Sequence, residues 1–175
     1  MSPKPRILIF TGDGKGKTTA ALGIAFRASG HGLRTSVIQF IKSDRSVGEI
    51  AAAAASAAVE IHTTGLGFLP PADDPRFVEH QAAARAGLQK AAEIVVGGQF
   101  PVVVLDEICL AVARGLLQEQ QVVELLAQAP PETCLVLTGR AATPALIALA
   151  DTVTEMQCLK HGLQAGLAAQ RGVER

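Results

Sequence analysis

The chain has 175 residues and carries 16 basic and 16 acidic side chains, so its formal net charge at pH 7 is zero. A neutral protein has no overall field that would attract nucleic acid or an anionic membrane surface, so both partners are disfavoured. The chain also has no Trp or Tyr, and its six Phe are dispersed, which weakens a role in binding single-stranded nucleic acid. Its length fits one domain with one core, which we expect to span residues 1–175.

The cysteines Cys109, Cys134 and Cys158 are odd in number, lie far apart and include no C-x-x-C pair. Neither a disulfide framework nor a zinc site is indicated, and we expect reduced, buried thiols. Residues 1–5 carry charge but no apolar signal core, and no apolar run approaches the roughly 20 residues of a membrane span. These features predict a cytoplasmic protein.

Six strand-like runs alternate along the chain with helical stretches. Two of them, 102–105 and 135–137, are continuously apolar, which is typical of strands buried on both sides. Alternation of this kind predicts an α/β fold with a mostly parallel six-stranded sheet, helices on both faces, and ligands at the carboxyl ends of the strands. The predicted strands are residues 7–11, 35–41, 59–63, 102–106, 134–138 and 152–156.

The first strand runs into the stretch FTGDGKGKTTAALG, residues 10–23, and the apolar positions after it recur at helical spacing. A glycine-rich loop between a strand and a helix N-terminus directs backbone amides and the helix dipole at an anion. Lys17 adds a full positive charge, and Thr18 adds a hydroxyl suited to a phosphate-bound metal. The loop therefore predicts a polyphosphate site.

The pattern departs in one place from the usual P-loop, G-x-x-x-x-G-K-[ST], because Thr11 stands at the first glycine position and Gly12 follows one residue late. A dinucleotide fingerprint is the rival interpretation. It would require glycine in place of Lys17 and an acid near the end of the second strand, where Lys42 stands, so both residues disfavour NAD. A glycine-rich turn with solvated lysines is the alternative without a ligand.

Two later stretches have unusual composition. The segment IAAAAASAAV, residues 50–59, favours a helix but offers little apolar area, so we expect a thin surface helix. The segment TGLGFLPPADDP, residues 64–75, is rich in Gly and Pro, which predicts an ordered functional loop before a helix over about 76–96.

Two carboxylates, Asp106 and Glu107, directly follow the buried run 102–105. This arrangement is typical of a Walker B motif, since Mg²⁺ is commonly held by one or two carboxylates together with phosphate oxygens and water. We predict Thr18, Asp106 and Glu107 as the metal ligands. The alternative is that the acidic pair caps the N-terminus of the next helix.

The next strand ends in Thr138, Gly139 and Arg140, at the same predicted edge of the sheet. Arg140 is placed to contact a terminal phosphate through two parallel N–H groups, and a surface arginine after a turn is the alternative. Asp13 is unexpected in a polyanion site. Its role is left open between capping loop amides and facing a lysine.

Six motifs, in order over nearly the whole chain, resemble the ATP:corrinoid adenosyltransferases of the cob(I)yrinic acid a,c-diamide type: TGDGKGKTTAALG, HGLRTSVIQFIK, VVVLDEI, LTGR, LADTVTEM and KHGLQAGLAAQRGVE. The short loop GDGKGKT belongs to that family's pattern and accounts for Thr11. The resemblance implies a P-loop NTPase-like (RecA-like) fold. It also implies transfer of the 5′-deoxyadenosyl group of ATP to the Co(I) of a corrinoid, with release of triphosphate, in adenosylcobalamin synthesis or salvage.

The resemblance further implies Mg²⁺ bound with ATP, a nucleotide reversed relative to ordinary P-loop enzymes, an electron-donating flavoprotein and a homodimer. Because reduced cobalt is itself the nucleophile, the protein has to position C5′ and stabilise charge on the leaving triphosphate. The catalytic residues implied are Lys17, Thr18 and Glu107. The ATP-binding residues implied are Gly12, Asp13, Gly14, Lys15, Gly16, Lys17, Thr18, Thr19 and Arg140.

The chain departs from the family where related enzymes carry an aromatic pair, GFTW, near the corrinoid. Here the sequence is GFLP, residues 67–70, so Phe68, flanked by Leu66 and Leu69, is the expected corrinoid-facing residue. His161 either belongs to a C-terminal family motif or is an ordinary surface residue. Two other functions stay open: a different ATP-using P-loop enzyme, such as a phosphotransferase or ATPase, and a non-catalytic protein that binds ATP or corrinoid.

Overall fold

The structure is a computed structural model that describes residues 4–174. Residues 1–3, part of the segment predicted to lack a signal core, and residue 175 lie outside it. The described residues form a six-stranded sheet with strand order β3-β2-β4-β5-β1-β6 and parallel pairing throughout. Its strands are β1 (Arg6–Thr11), β2 (Thr35–Gln39), β3 (Val59–Thr63), β4 (Val102–Asp106), β5 (Cys134–Thr138) and β6 (Thr152–Glu155).

The predicted α/β fold and its six strands are confirmed, with two strands ending earlier than expected. β2 ends at Gln39 because the chain turns away after Phe40, and the Ile41 carbonyl accepts a hydrogen bond from Gly67 N instead of from a strand. β6 ends at Glu155, although the Met156 amide still donates to Thr11 O at 2.9 Å.

The helices follow the predicted alternation with strands. The alanine-rich helix is shorter than expected, since it ends at Ala54 instead of continuing to Val59, and it buries none of its residues. No helix between residues 4 and 174 combines the length and the apolar character needed to cross a membrane. The helices are α1 (Lys17–Ser29), α2 (Gly48–Ala54), α3 (Phe77–Gly97), α4 (Ile108–Ala113), α5 (Glu119–Ala127) and α6 (Pro144–Leu149), and a short 3-10 helix covers Gly162–Ala165.

Alternate side chains of the central strands pack on opposite faces of the sheet. On β4, Val103 and Leu105 join the larger core with α3, α4 and α5, whereas Val104 joins the smaller core with Ala21 of α1. Each such fully buried aliphatic side chain contributes about 1.5–3 kcal/mol to stability. Helices on both faces, as predicted, therefore leave the strand ends as the open place for a ligand.

The expectation of three buried thiols is only partly correct. Cys109 is fully buried, and burial raises the pKa of its thiol to about 12. Cys134 is half-buried, whereas Cys158 is exposed because it lies beyond β6, where the chain has left the sheet. All three are free thiols, as expected.

The parallel register brings distant parts of the sequence to one edge of the sheet. Phe10 of β1 pairs with Thr138 of β5, and Gln39 of β2 pairs with Asp106 of β4. The glycine-rich loop, the acidic pair and the segment after β5 therefore meet at the carboxyl ends of adjacent strands. This is the place where open parallel sheets bind ligands.

A candidate phosphate and metal site at the carboxyl edge of the sheet

The loop between β1 and α1 requires glycine for two different reasons. Gly12 and Gly16 have φ of 90° and 120°, in the left-handed region that side chains disfavour. Gly14 lacks a positive φ, but a Cβ there would lie 2.7 Å from the Met156 and Gln157 carbonyl oxygens. The Gly14 amide also donates to Met156 O at 2.6 Å. The segment after β6 thus holds the loop from behind.

Lys17 is buried at the start of α1, with only 7% of its surface exposed. Its ammonium donates to the carbonyl oxygens of Gly12 and Gly14, at 2.7 and 2.8 Å. Burial lowers the pKa of Lys17, and the nearby Glu107 carboxylate opposes that effect. The lysine therefore fixes the shape of the loop and places a positive charge inside it.

Asp106 is fully buried, and its two carboxylate oxygens have different surroundings. Oδ1 accepts hydrogen bonds from the hydroxyls of Thr18, at 2.8 Å, and Thr138, at 2.7 Å. Among residues 4–174, Oδ2 has no hydrogen-bond partner, although the Lys42 ammonium lies 3.4 Å away. A buried carboxylate oxygen without a hydrogen bond is costly, which points to a ligand at this position.

Glu107 has the same property in a strained backbone. Its φ is 64°, which is unusual for a residue with a side chain, and its amide donates to the Thr138 hydroxyl at 2.8 Å. Its Oε2 is buried without a hydrogen-bond partner in the described part of the chain. Burial, followed by the charge of Asp106, raises the pKa of Glu107. Although Glu107 is the residue before α4, its side chain makes no capping hydrogen bond. The capping alternative is therefore wrong for Glu107.

The donors at this edge fit a magnesium ion. Asp106 Oδ2 and Glu107 Oε2 are hard oxygen ligands without hydrogen bonds, and the Thr18 hydroxyl adjoins the same carboxylate. Mg²⁺ prefers such oxygens and takes its other positions from water and phosphate. Within residues 4–174 no larger cluster of His, Cys, Asp or Glu suited to a metal is present.

Arg140 and Asp13 face each other at the mouth of the site, with Nη1 and Oδ1 3.6 Å apart. Both side chains are mostly exposed, so their attraction is weak and Arg140 can turn to an incoming phosphate. The Lys15 ammonium instead donates to the Val173 carbonyl at 3.0 Å. The sequence left Asp13 open between capping loop amides and facing a lysine. In the structure it pairs with an arginine instead.

These groups enclose a cavity of about 480 Å³, a volume typical of small-molecule sites. Most predicted residues line it: 13–19, Glu107 and Arg140. Gly12 and Asp106 adjoin this lining, since they are hydrogen-bonded to Lys17 and Thr18. Sequence reasoning did not assign the remaining lining residues, which are Leu22, Lys42, Gly48, Glu49, Gly172, Val173 and Glu174.

His161 was open between a functional and a surface role. It lines the cavity, is half-buried, and accepts a hydrogen bond from Leu163 N through Nδ1 at 3.2 Å. The C-terminal motif therefore folds back to the phosphate loop.

Phe68 does not line this cavity, and its ring is 95% exposed. The loop around it is nevertheless fixed, because Gly67 N donates to Ile41 O at 2.7 Å and Leu69 is buried in the core. The sequence predicts an apolar surface made of Leu66, Phe68 and Leu69, and this prediction is wrong for Leu69. Of these three side chains, Phe68 and Leu66 face solvent.

The model of the ATP:corrinoid adenosyltransferase family BtuR/CobO/CobP matches residues 3–175 of the chain. The chain belongs to this family. The enzyme class that the motifs implied is thereby confirmed. Corrinoid adenosyltransferases of similar sequence are found in several bacteria. The relative from Pseudomonas aeruginosa is 39% identical over 169 residues, covering 96% of this chain and 82% of the relative.

Two further family members show the same extent of similarity. The corrinoid adenosyltransferase of Escherichia coli is 38% identical over 168 residues, covering 96% of this chain and 84% of the relative. That of a Sinorhizobium species is 37% identical over 174 residues, covering 98% and 80%. The similarity therefore extends over nearly the whole chain.

Among solved structures, the chain is similar to the flagellar accessory protein FlaH from Methanocaldococcus jannaschii, with a TM-score of 0.55. The match covers 87% of this chain and 72% of FlaH at 10% sequence identity. At this identity the likeness concerns the fold, and it agrees with the expected P-loop NTPase-like architecture.

Proposed function

We propose that residues 12–19 bind the triphosphate of ATP and that the chain transfers its 5′-deoxyadenosyl group to the Co(I) of a corrinoid. The cobalt electron pair attacks C5′, a Co–C bond forms, and the C5′–O bond breaks as triphosphate leaves with its electron pair. The observation that carries this proposal is the pair of buried carboxylate oxygens without hydrogen bonds, Asp106 Oδ2 and Glu107 Oε2, next to a glycine-rich loop.

Lys17 and the loop amides stabilise the charge that develops on the leaving triphosphate. The Lys17 ammonium has three N–H donors, of which two serve the carbonyls of Gly12 and Gly14. The third is available to a phosphate oxygen. A preorganised donor of this kind contributes about 3–4 kcal/mol in a site from which water is excluded.

Mg²⁺, when bound, supplies a second positive centre for the triphosphate. Thr18, Asp106 and Glu107 would hold it, and Thr138 keeps the two acids in place through one hydroxyl. Arg140 supplies a mobile charge at the mouth of the cavity. We assign no general base, because the nucleophile is cobalt and carries no proton to remove.

The corrinoid is proposed to contact the exposed ring of Phe68 and the adjoining Leu66, which form an apolar projection on a fixed loop. Burial of such a ring against an apolar partner contributes a few kcal/mol. Two finer points of the proposal rest on the resemblance: delivery of the electron by a flavoprotein and a homodimer. A cytoplasmic location is proposed from the sequence features given above.

The test is an incubation of the protein with Mg-ATP and a chemically reduced corrinoid, followed by identification of both products. We expect an adenosylated corrinoid and intact triphosphate in equal amounts. Release of ADP or AMP would instead indicate a phosphotransferase or ATPase. ATP binding without either product would indicate a non-catalytic binding protein.

A Glu107→Gln variant connects the activity to this site. The amide keeps the size of the side chain but removes the charge that would hold the metal, so transfer should fall at saturating ATP. The matched control is Glu93→Gln, since Glu93 is exposed on α3 and pairs with Lys90. Near-wild-type turnover in Glu107→Gln would contradict the assignment of the metal site.

A further inference from the structure

Lys42 occupies a position at the sheet edge that neither the loop nor the acidic pair explains. It comes three residues after the end of β2, and the Phe40 amide there donates to Asp106 O at 3.0 Å. β2 adjoins β4 on the side away from β5 and β1. Lys42 therefore approaches the acids from the side opposite to the glycine-rich loop.

The backbone around Lys42 is held tightly. A Cβ on Gly65 would lie 2.1 Å from the Ile41 carbonyl carbon, and one on Gly67 would lie 2.7 Å from Ser43 Oγ. The Gly67 amide also donates to the Ile41 carbonyl. Residues 41–43 thus rest directly against the loop that carries Phe68, so Lys42 projects from a fixed base.

The ammonium of Lys42, by contrast, is held loosely. It lies 3.3 Å from Glu49 Oε1 and 3.4 Å from Asp106 Oδ2, near the outer limit for a charged hydrogen bond. The side chain is 32% exposed and lines the same cavity as Lys17. A lysine with long contacts and an open cavity in front of it is free to change partners.

The charges around the cavity indicate which group the Lys42 ammonium would bind when it changes partners. Lys17 and Arg140 belong to the β1 and β5 side of the acids, and the Lys15 ammonium is bonded to a backbone carbonyl. On the β2 side of the acids, Lys42 lines the same cavity and carries the positive charge. Stabilisation is strongest where a fixed cation meets developing charge.

We infer that Lys42 binds the triphosphate of the nucleotide from the β2 side and that Glu49 positions its ammonium. Without nucleotide, the ammonium rests on Asp106 and Glu49. When Asp106 serves the metal, Lys42 turns to a phosphate oxygen, and Glu49, in the first turn of α2, keeps it within reach. This inference rests on the proposed function and adds a residue to it.

The test measures binding of inorganic triphosphate with Mg²⁺ by calorimetry, independently of any corrinoid. Lys42→Ala should weaken binding about 10- to 100-fold, as expected for the loss of a charged hydrogen bond. Lys42→Arg should stay within about 3-fold of the wild type because charge and reach are kept. Glu49→Gln should give a smaller loss than Lys42→Ala.

The matched control is Lys90→Ala, which removes an exposed lysine that pairs with Glu93 on α3. It should leave triphosphate binding unchanged. Lys42→Met keeps the apolar stem of the side chain, so a loss shared by Lys42→Ala and Lys42→Met arises from the charge and not from packing. Thermal melting of each variant confirms that it is folded.

The outcomes separate this inference from the proposed function. If the wild type makes triphosphate but Lys42→Ala binds triphosphate as tightly as Lys90→Ala does, the inference is overturned and the function stands. If the wild type releases ADP while Lys42→Ala loses triphosphate affinity, the function fails and the inference about Lys42 stands. Equal losses in Lys42→Ala and Lys42→Arg would also overturn it.

Discussion

The hydroxyl of Thr138 should contribute strongly to the stability of the protein, because it is hydrogen-bonded to both acidic residues of the site. It donates to Asp106 Oδ1 and accepts from the Glu107 amide, and the side chain is fully buried. Thr138→Val keeps the shape and removes both bonds. A bond to a charged group contributes about 1.5–3 kcal/mol and a neutral one about 0.5–1.5 kcal/mol, so we expect a loss of about 2–4 kcal/mol.

The matched control is Thr35→Val on β2, the same substitution at another fully buried threonine. The Thr35 hydroxyl has no hydrogen-bond partner among the residues that the structure describes, so its replacement removes a desolvation cost without removing a bond. We expect Thr35→Val to be neutral or to stabilise the protein by about 1 kcal/mol. We therefore expect the same substitution to destabilise the protein at Thr138 but not at Thr35, because, of these two hydroxyls, only that of Thr138 is hydrogen-bonded within residues 4–174.

The assay is unfolding in urea, checked by thermal melting. For a chain of this length, a loss of about 2–4 kcal/mol lowers the melting temperature by about 4–15 °C. The reasoning would be refuted by equal destabilisation of Thr138→Val and Thr35→Val, which would show that the hydroxyl bonds at the acids carry no special weight. It would also be refuted by an unchanged Thr138→Val.

The remaining predictions concern the loop and the corrinoid side. Lys17→Ala should reduce transfer at least 100-fold at saturating Mg-ATP, measured as triphosphate release, because the donor inside the loop is lost. Gly14→Ala should lower stability by about 1–3 kcal/mol in urea, since its Cβ meets backbone at 2.7 Å, whereas Gly23→Ala, with open space around it, should not. Phe68→Ala should leave the melting temperature and the KM for ATP unchanged, because the ring is exposed. Its rate should fall more when the corrinoid is supplied as Co(II) than as Co(I); an unaltered Co(II) rate would argue against this surface.

Features carried by short stretches of sequence could be predicted. The apolar runs at 102–105 and 135–137 specify buried strands, and the glycine-rich stretch predicts a loop between a strand and a helix. The acidic pair at 106–107 follows directly from its place after a strand. Each of these signals is local, and each lies where the structure has it.

Features that depend on contacts between distant segments could not be predicted from the sequence. Nothing near Glu49 or Val173 indicates that they line the cavity, since α2 and the C-terminal segment reach it only in the folded chain. Lys42 does carry a local signal, its place after a strand end, but in the sequence this signal only disfavours NAD and indicates no ligand. The role of Gly14 also depends on a tertiary approach, because its φ is ordinary and its space is taken by residues 156–157.

The place of β1 in the sheet has a consequence for how the protein is made. β1 leaves the ribosome first, yet its two neighbours are β5 and β6, whose residues are translated last. Until β5 has emerged, the strand before the glycine-rich loop is an unpaired apolar segment, and the backbone that holds Gly14 follows only with residues 156–157. Such long-range pairing is slow and leaves the nascent chain exposed to aggregation. A ribosome-stalled chain that stops before β6 should therefore lack the backbone that holds Gly14 in place and should require a chaperone.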